Sequence, residues 1–269
     1  LSKAVFICEV HSDFLHRGFL PVKDYLAAKL ILQSTDFVRA VNTKIAERSR
    51  AWGAKKVLMI PSIYINLEVF KPTLSQRERG PVVLSASRLV PQKGLELLIK
   101  SAQHLSSKFK GLEIRIVGLG PEERRLKNLA KELNVEDVVK FLGWVSRDDL
   151  VKSYNEASVF VCTSFHEGGP RTVFEAAACQ TPFVSTAVGL IPEVFTHGHE
   201  GFIIRERDEK VLAHYISRLL ENPDLREEMG RRARMVVEKT FEWNAAVRRY
   251  ATAYLEILTS KHFTSRKLK

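Results

Sequence analysis

The stretch VFVCTSFHEGGPRTVFEAAACQTPFVS, residues 159–185, reads as strand, turn, helix and strand in one pass. Val159 to Val161 and Phe183 to Ser185 are short apolar runs bounded by polar residues, the pattern of buried strands. Ala176, Ala177 and Ala178 continue a close-packed helix between them. Strands joined through a helix lie parallel in one sheet, so the stretch predicts an α/β fold. Gly168, Gly169 and Pro170 stand between the first strand and the helix. The glycines admit a close approach to the backbone, and Pro170 sets the first helical turn with free amides and the positive dipole end facing outward. Glu167 lies in the loop before that turn, and Glu175 sits about a turn and a half into the helix.

The same alternation runs outward in both directions. Upstream, Ala4 to Val10, Phe37 to Val41 and Lys56 to Ile60 read as strands, with helices over Tyr25 to Leu32 and Thr43 to Trp52. From Pro61 to about Gly80 the pattern stops. Pro61, Pro72 and the charged stretch Gln76 to Arg79 have linker composition. It resumes with strands at Val82 to Ala86, Ile114 to Val117 and Val138 to Phe141. Leu95, Leu98, Ile99, Ala102 and Leu105 recur at helical spacing, and Pro121 suits the first position of a helix running to about Leu133. A last helix, Trp243 to about Leu258, puts Trp243, Val247, Tyr250, Tyr254 and Ile257 on one face, so it packs against another element. Two α/β lobes with parallel sheets result. Residues 1–75 form a partial N-terminal lobe and linker, 76–242 the C-terminal lobe, and 243–269 a final helix and basic tail.

A hydrophobic share of 45% against 27% charged residues, over 269 residues, excludes disorder and leaves room for one large or two smaller cores. The formal charge of +11 draws the chain toward polyanions, anionic lipid surfaces or phosphorylated substrates without choosing among them. Cys8, Cys162 and Cys179 sit in apolar runs without metal-ligand spacing, which suits a reducing compartment. No apolar run reaches the roughly 18 residues of a membrane span, and the first residues lack an export signal. The expected location is therefore cytoplasmic, or peripheral to the cytoplasmic membrane face. A start at Leu1 reads as a fragment or a processed chain.

Chemistry concentrates at the strand ends of the second lobe, where open parallel sheets bind ligands. The turn Ser87 to Gly94 places Arg88 and Lys93 in a loop leading into a helix. Arg forks onto phosphate oxygens and Lys adds a point charge, although either alone is an ordinary solvated cation. Carboxylates accept hydrogen bonds from vicinal diols, which occur in ribose and again in hexoses. Glu167 and Glu175, separated by phosphate-binding amides, match a nucleoside diphosphate sugar better than two unrelated surface charges. His11, at a strand end in Glu9-Val10-His11-Ser12-Asp13, is by itself as readily structural as functional. A dinucleotide oxidoreductase needs Gly-x-Gly-x-x-Gly after a strand, whereas Gly118-Leu119-Gly120-Pro121-Glu122-Glu123 ends in an anion that opposes a pyrophosphate. No Asp-x-Asp metal signature occurs in the second lobe.

The segments ASRLVPQKGLELLIKSA (86–102), FLGWVSRDDLVKSYNEASVFVCTS (141–164), FHEGGPRTVFEAAACQTPFVSTAVGLIPEV (165–194) and GFII (201–204) carry a resemblance. They look like the donor lobe of the large retaining glycosyltransferase family that includes glycogen synthases, sucrose synthases and many mannosyl- and glucosyltransferases. The likeness covers roughly residues 81 to 255. It implies a GT-B fold, with two facing Rossmann-like parallel sheets carrying helices on both faces. It also implies transfer of a hexose from a nucleotide diphosphate sugar, UDP- or GDP-linked, to a hydroxyl with retention and without a metal or other cofactor. By the same resemblance Arg88 and Lys93 bind the donor diphosphate and Glu175 the ribose. Glu167 contacts the transferred sugar beside the reaction centre, and His11 faces that sugar across the cleft. Backbone contacts fall on Gly168, Gly169, Pro170, Arg171 and Thr172, and the nucleobase on Trp144 and Val145. The acceptor is a saccharide or lipid-linked group, its proton taken by the leaving phosphate on the same face; nucleic acid is not an expected partner.

Departures from the family pattern set a second reading. Ser62-Ile63 replaces the usual Asn-Gly turn of the interlobe segment, and Asn66 stands where an Asp is common. About 75 residues precede the second lobe, and the Gly-rich loop and earlier strand-helix units of the family's acceptor lobe are absent from them. Either the protein extends further upstream, or a second chain or an oligomer completes the N-terminal lobe; a peripheral membrane contact is a further option. The alternative function is a nucleotide-sugar-binding or scaffold protein with little or no catalysis. The last helix, through Trp243 and Tyr250, is expected to cross back onto the first lobe, with Lys261 to Lys269 a solvated tail rather than an anchor.

Overall fold

A computed structural model of the chain describes residues 6–11 and 22–265, without the side chains of Val22 and of residues 260–265. The first lobe contains β1 (Ile7–Val10), α1 (Val22–Ser34), β2 (Phe37–Ala40), α2 (Thr43–Ala51) and β3 (Val57–Met59). Its strands pair in parallel in the order β1-β2-β3. The central strand β2 is buried along its whole length, and Val10, Leu32, Val38, Ala40 and Ile45 pack around it. The first residues of the strand expected from Ala4 lie outside the described residues.

The second lobe runs β4 (Val82–Ala86), a 3-10 turn at Pro91–Lys93, α3 (Glu96–Ser106), β5 (Glu113–Val117), α4 (Glu123–Glu132) and β6 (Val139–Gly143). It continues through α5 (Arg147–Glu156), β7 (Val159–Cys162), α6 (Arg171–Ala178), β8 (Phe183–Thr186), α7 (Ile191–Val194), β9 (Phe202–Ile204), α8 (Glu209–Glu221), α9 (Pro223–Thr240) and α10 (Trp243–Ser265). All six strands are parallel, in the order β6-β5-β4-β7-β8-β9. The chain enters at mid-sheet, builds to one edge, returns and builds to the other. The order reverses between β4 and β7, the point at which open parallel sheets leave a crevice at the carboxyl ends of their strands. Apolar layers cover both faces: Leu98, Ile99, Ile114, Leu126 and Ile216 on one, Tyr154, Phe160, Phe174, Phe183 and Phe241 on the other. The Phe174 ring stands 4.7 Å from Phe241 and 5.3 Å from Phe195, which anchors α6 to the sheet.

Three local expectations differ from the fold. The helix expected to open at Pro121 opens at Glu123, with Glu122 at its N-cap and Glu122 N donating to the Leu89 carbonyl at 3.0 Å. The segment 61–80 is not a solvated linker. Ile63, Ile65 and Phe70 enter the second lobe's core, while Gln76 and Arg79 are buried. Ile65 also bonds the chain on both sides of the turn before α10, donating to Phe241 O and accepting from Trp243 N. Helix α10 runs to Ser265, past Leu258, and the last tail residues lie outside the described ones. Tyr250 of α10 donates to Pro61 O at 3.0 Å and accepts from Arg39, and Tyr254 donates to Glu9 at 2.8 Å, so the helix reaches the first lobe. Trp243 packs edge-on against Tyr64. No helix among the described residues is long and apolar enough to cross a membrane.

Candidate functional site

Two loops leave the reversal point between β4 and β7. The loop after β4 carries Arg88 and Lys93, and the loop after β7 carries Glu167 and leads into α6. Phe165 N donates to Gln92 O at 2.9 Å, Gln92 Nε2 to His166 O at 2.7 Å, and Thr163 Oγ1 to Lys93 O at 2.9 Å. Gly94 permits this seam: its φ is +57°, and a Cβ there would lie 2.6 Å from Thr163 O. Arg207 closes it by donating to Thr163 O at 2.7 Å and stacking 3.6 Å over the Phe165 ring. Lys93 and Glu167 consequently meet as an ion pair with side chains only 17% and 12% exposed. Ser164 Oγ donates to the same carboxylate oxygen of Glu167 at 2.7 Å. Ser87, Lys93, Glu167 and Thr172 face one small crevice. Arg88, beside Ser87, is exposed and makes no ion pair among the described residues. No side chain caps α6 behind Pro170, and Val173 N turns back to Pro170 O at 2.9 Å, which leaves the Arg171 and Thr172 amides at an open helix start.

Glu175 occupies a different recess. It is 7% exposed, accepting from the buried Tyr154 hydroxyl at 2.9 Å and from Arg171 Nε at 3.1 Å. Burial pushes its carboxyl above the usual range, opposed by the Tyr154 hydrogen bond and the Arg171 and Arg147 cations. It lines an open groove of about 660 Å³ with Tyr64, Val145, Arg147, Arg171 and Trp243. Trp144 is 75% exposed and stands outside that lining. The two carboxylates therefore serve separate recesses on either side of the start of α6.

The first lobe closes on this region through backbone. A Cβ on Gly168 would lie 1.9 Å from the His11 carbonyl oxygen, and one on Gly169 would lie 2.6 Å from Ile63 Cδ1. Gly168 thus admits the other lobe's backbone, and Gly169 the Ile63 side chain of the connecting segment, as well as any ligand. The His11 ring is exposed, with Nε2 3.0 Å from Glu9 and Nδ1 3.2 Å from Ser62 Oγ. Ser164, Tyr154 and Arg207 hold the site but carry no signal in the local sequence beyond the three-residue spacing of Ser164 and Glu167.

Glu9 ties His11, Arg39 and α10 together. Burial raises its carboxyl, but hydrogen bonds from Arg39, His11 and Tyr254 and the charge of Arg39 outweigh this and hold it at about 2 instead of 4.5. A carboxyl depressed on folding stabilises the fold above its unfolded value and loses that contribution as pH falls through the folded one. Glu9→Gln is expected to flatten the acid limb of unfolding between 4.5 and about 2. Tryptophan fluorescence against pH checks this, and an acid limb identical to the parent's rules it out.

Known proteins resemble the chain in sequence and in fold. The D-inositol 3-phosphate glycosyltransferase of Streptomyces bingchenggensis is 31% identical over 213 residues, spanning 72% of this chain and 46% of the relative. The chain thus spans about half the length of such curated relatives. Sucrose-phosphate synthase from Thermosynechococcus elongatus superposes with a TM-score of 0.83 at 25% identity, over 94% of this chain and 68% of that one. Anabaena HepE, solved in complex with UDP-glucose, does so with 0.83 at 20% identity, over 93% and 72%. These neighbours share the GT-B architecture of two facing parallel-sheet lobes. The sequence profile of the family described as "Glycosyl transferases group 1" matches residues 66–236, the span that holds both carboxylates, both loops and the β4/β7 crevice, and the chain belongs to that family.

Proposed function

We propose that the chain transfers a hexose from a nucleotide diphosphate sugar to a hydroxyl acceptor with retention at the anomeric carbon. The observation that carries the reading is the placement of Lys93, Glu167 and the open start of α6 at the β4/β7 crevice, with Glu175 in the adjoining groove. Glu175 takes the ribose hydroxyls, and Val145 and the groove wall take the base. Arg88, Lys93 and the α6 amides meet the diphosphate, whose developing charge on leaving is the main demand of the reaction. Electrostatic groups already in place answer that demand without a metal. Glu167 then faces the sugar, and the leaving phosphate accepts the acceptor's proton on the same face. The acceptor is a saccharide or lipid-linked hydroxyl, and the site of action is cytoplasmic or at the cytoplasmic membrane face.

Titration with UDP, GDP and ADP sugars, followed by assay of released nucleotide, tests the reading. Glu175→Ala is expected to weaken nucleotide binding by about 1–3 kcal/mol through lost charged hydrogen bonds. An unchanged affinity in a variant that still unfolds cooperatively removes Glu175 from the site. Binding without turnover, with candidate acceptors present, favours the scaffold alternative.

A further inference from the structure

Beside Glu167, between the lobes, lies a cavity of about 140 Å³. Phe165, Glu167, Gly189 and Glu193 line it from the second lobe, Asn42 and Lys44 from the first. Asn42 is 2% exposed and uses both ends of its amide. Its oxygen accepts from Ile45 N at 2.9 Å and caps α2, while its nitrogen donates to Gly168 O at 2.9 Å. Only one orientation of the amide satisfies both bonds. Thr43 gives Glu193 its backbone N–H, at 3.0 and 3.2 Å, and its hydroxyl, at 2.8 Å. The first turn of α2 is therefore capped by its own Asn42 and by a carboxylate from the opposite lobe, whose charge suits the helix dipole. Gly189, with φ +54°, packs the other side of the same peptide: a Cβ there would lie 2.5 Å from Gly168 O.

We propose that Asn42 and Thr43 are positioning residues for the sugar part of the donor. From the first lobe they hold the Gly168–Gly169 peptide, just after Glu167, and Glu193, so this end of the Glu167 loop keeps its geometry only while the lobes are closed on each other, its start being held within the second lobe. Among the described residues Arg88, Lys93 and Glu175, the groups assigned to diphosphate and ribose, make no hydrogen bond or ion pair to Asn42, Thr43 or Glu193. The inference rests on the donor reading above and goes beyond it by assigning the sugar's positioning to a first-lobe helix start.

Asn42→Asp keeps the oxygen that caps α2 but sets a carboxylate against the Gly168 carbonyl, and Thr43→Val removes the hydroxyl while leaving the backbone N–H. Calorimetry on the whole chain compares UDP, GDP and ADP with their glucose-linked forms. Affinity for the free nucleotide is expected to hold within about twofold, while the additional affinity contributed by the sugar falls roughly 3- to 10-fold in each variant. Slow donor hydrolysis falls at least in proportion. A sugar contribution equal to the parent's in both variants overturns the inference, as does a parallel loss for nucleotide and nucleotide sugar, or a parent that gains nothing from the sugar. A parent that binds none of the nucleotides instead sinks the donor reading itself.

Discussion

Glu167→Gln is expected to lower sugar transfer per bound donor by about 10²- to 10³-fold while nucleotide affinity holds or rises, a magnitude typical of losing one electrostatic contact at a reaction centre. The opposite signs follow from the ion pair. In the free protein Lys93 spends its charge on Glu167, with Ser164 supporting the same oxygen. On the proposed donor reading, a diphosphate needs Lys93 and must draw it away from that partner. Glutamine removes the competing charge, so the cation is more available to phosphate, while the carboxylate proposed to face the sugar is gone. The free protein also pays for the change, because Lys93 is left 17% exposed without a counter-charge. Breaking a fully buried pair costs about 3–5 kcal/mol, and this less buried one is expected to cost about 1–3. Single-turnover rates at saturating donor, set beside calorimetric affinities, check the split. Unchanged transfer per bound donor would falsify the role of Glu167.

Arg79→Met is expected to destabilise the second lobe by about 4 kcal/mol or more, several carbonyls each losing a charged partner worth about 1–3 kcal/mol. Arg79 is 6% exposed. Its two terminal nitrogens donate to Tyr154 O, Ala157 O and Thr181 Oγ1 on one side, and to Leu74 O and Cys179 O on the other. Burial lowers its pKa to about 10, so it remains a cation at neutral pH. Its partners are the carbonyl ends of α5 and α6, where helix dipoles favour positive charge. Methionine fills much of the volume and satisfies none of these oxygens. Urea unfolding followed by circular dichroism measures the loss, and a value below about 1 kcal/mol would show that water replaces the guanidinium. Arg226 repeats the device, donating to Leu219 O and Leu220 O at the end of α8 and to Gln76 O. Arg79, which lies in a stretch of linker composition, and Arg226 are internal fasteners of the segment before β4.

Much of the fold was legible because strands and helices announce themselves by period. The runs at 82–86, 114–117 and 183–185 fall within observed strands, since the strands of a parallel sheet covered on both faces are mostly apolar. β9, α5, α7, α8 and α9 escaped that reading, although Ser146, Asp208 and the Asn222-Pro223 pair cap α5, α8 and α9 in standard fashion. The buried Gln76 and Arg79 could not be read. Polar residues look solvated until the carbonyls that hold them are brought near from residues a hundred positions away.

The candidate site divides along the same line. The chain alone determined that Glu167 and Glu175 flank a Gly-Gly-Pro helix start, because a loop of that composition between a strand and a helix admits few conformations. Tertiary structure decided what each carboxylate faces. Glu167 meets Lys93 because the order of strands places β4 beside β7, and Glu175 meets Tyr154 because α5 packs on α6. It also decided why Gly168 is a glycine, since its α-carbon lies against a carbonyl of the opposite lobe. Local sequence specifies torsion angles and periodicity, whereas contacts between distant segments arise only from the order in which the strands assemble.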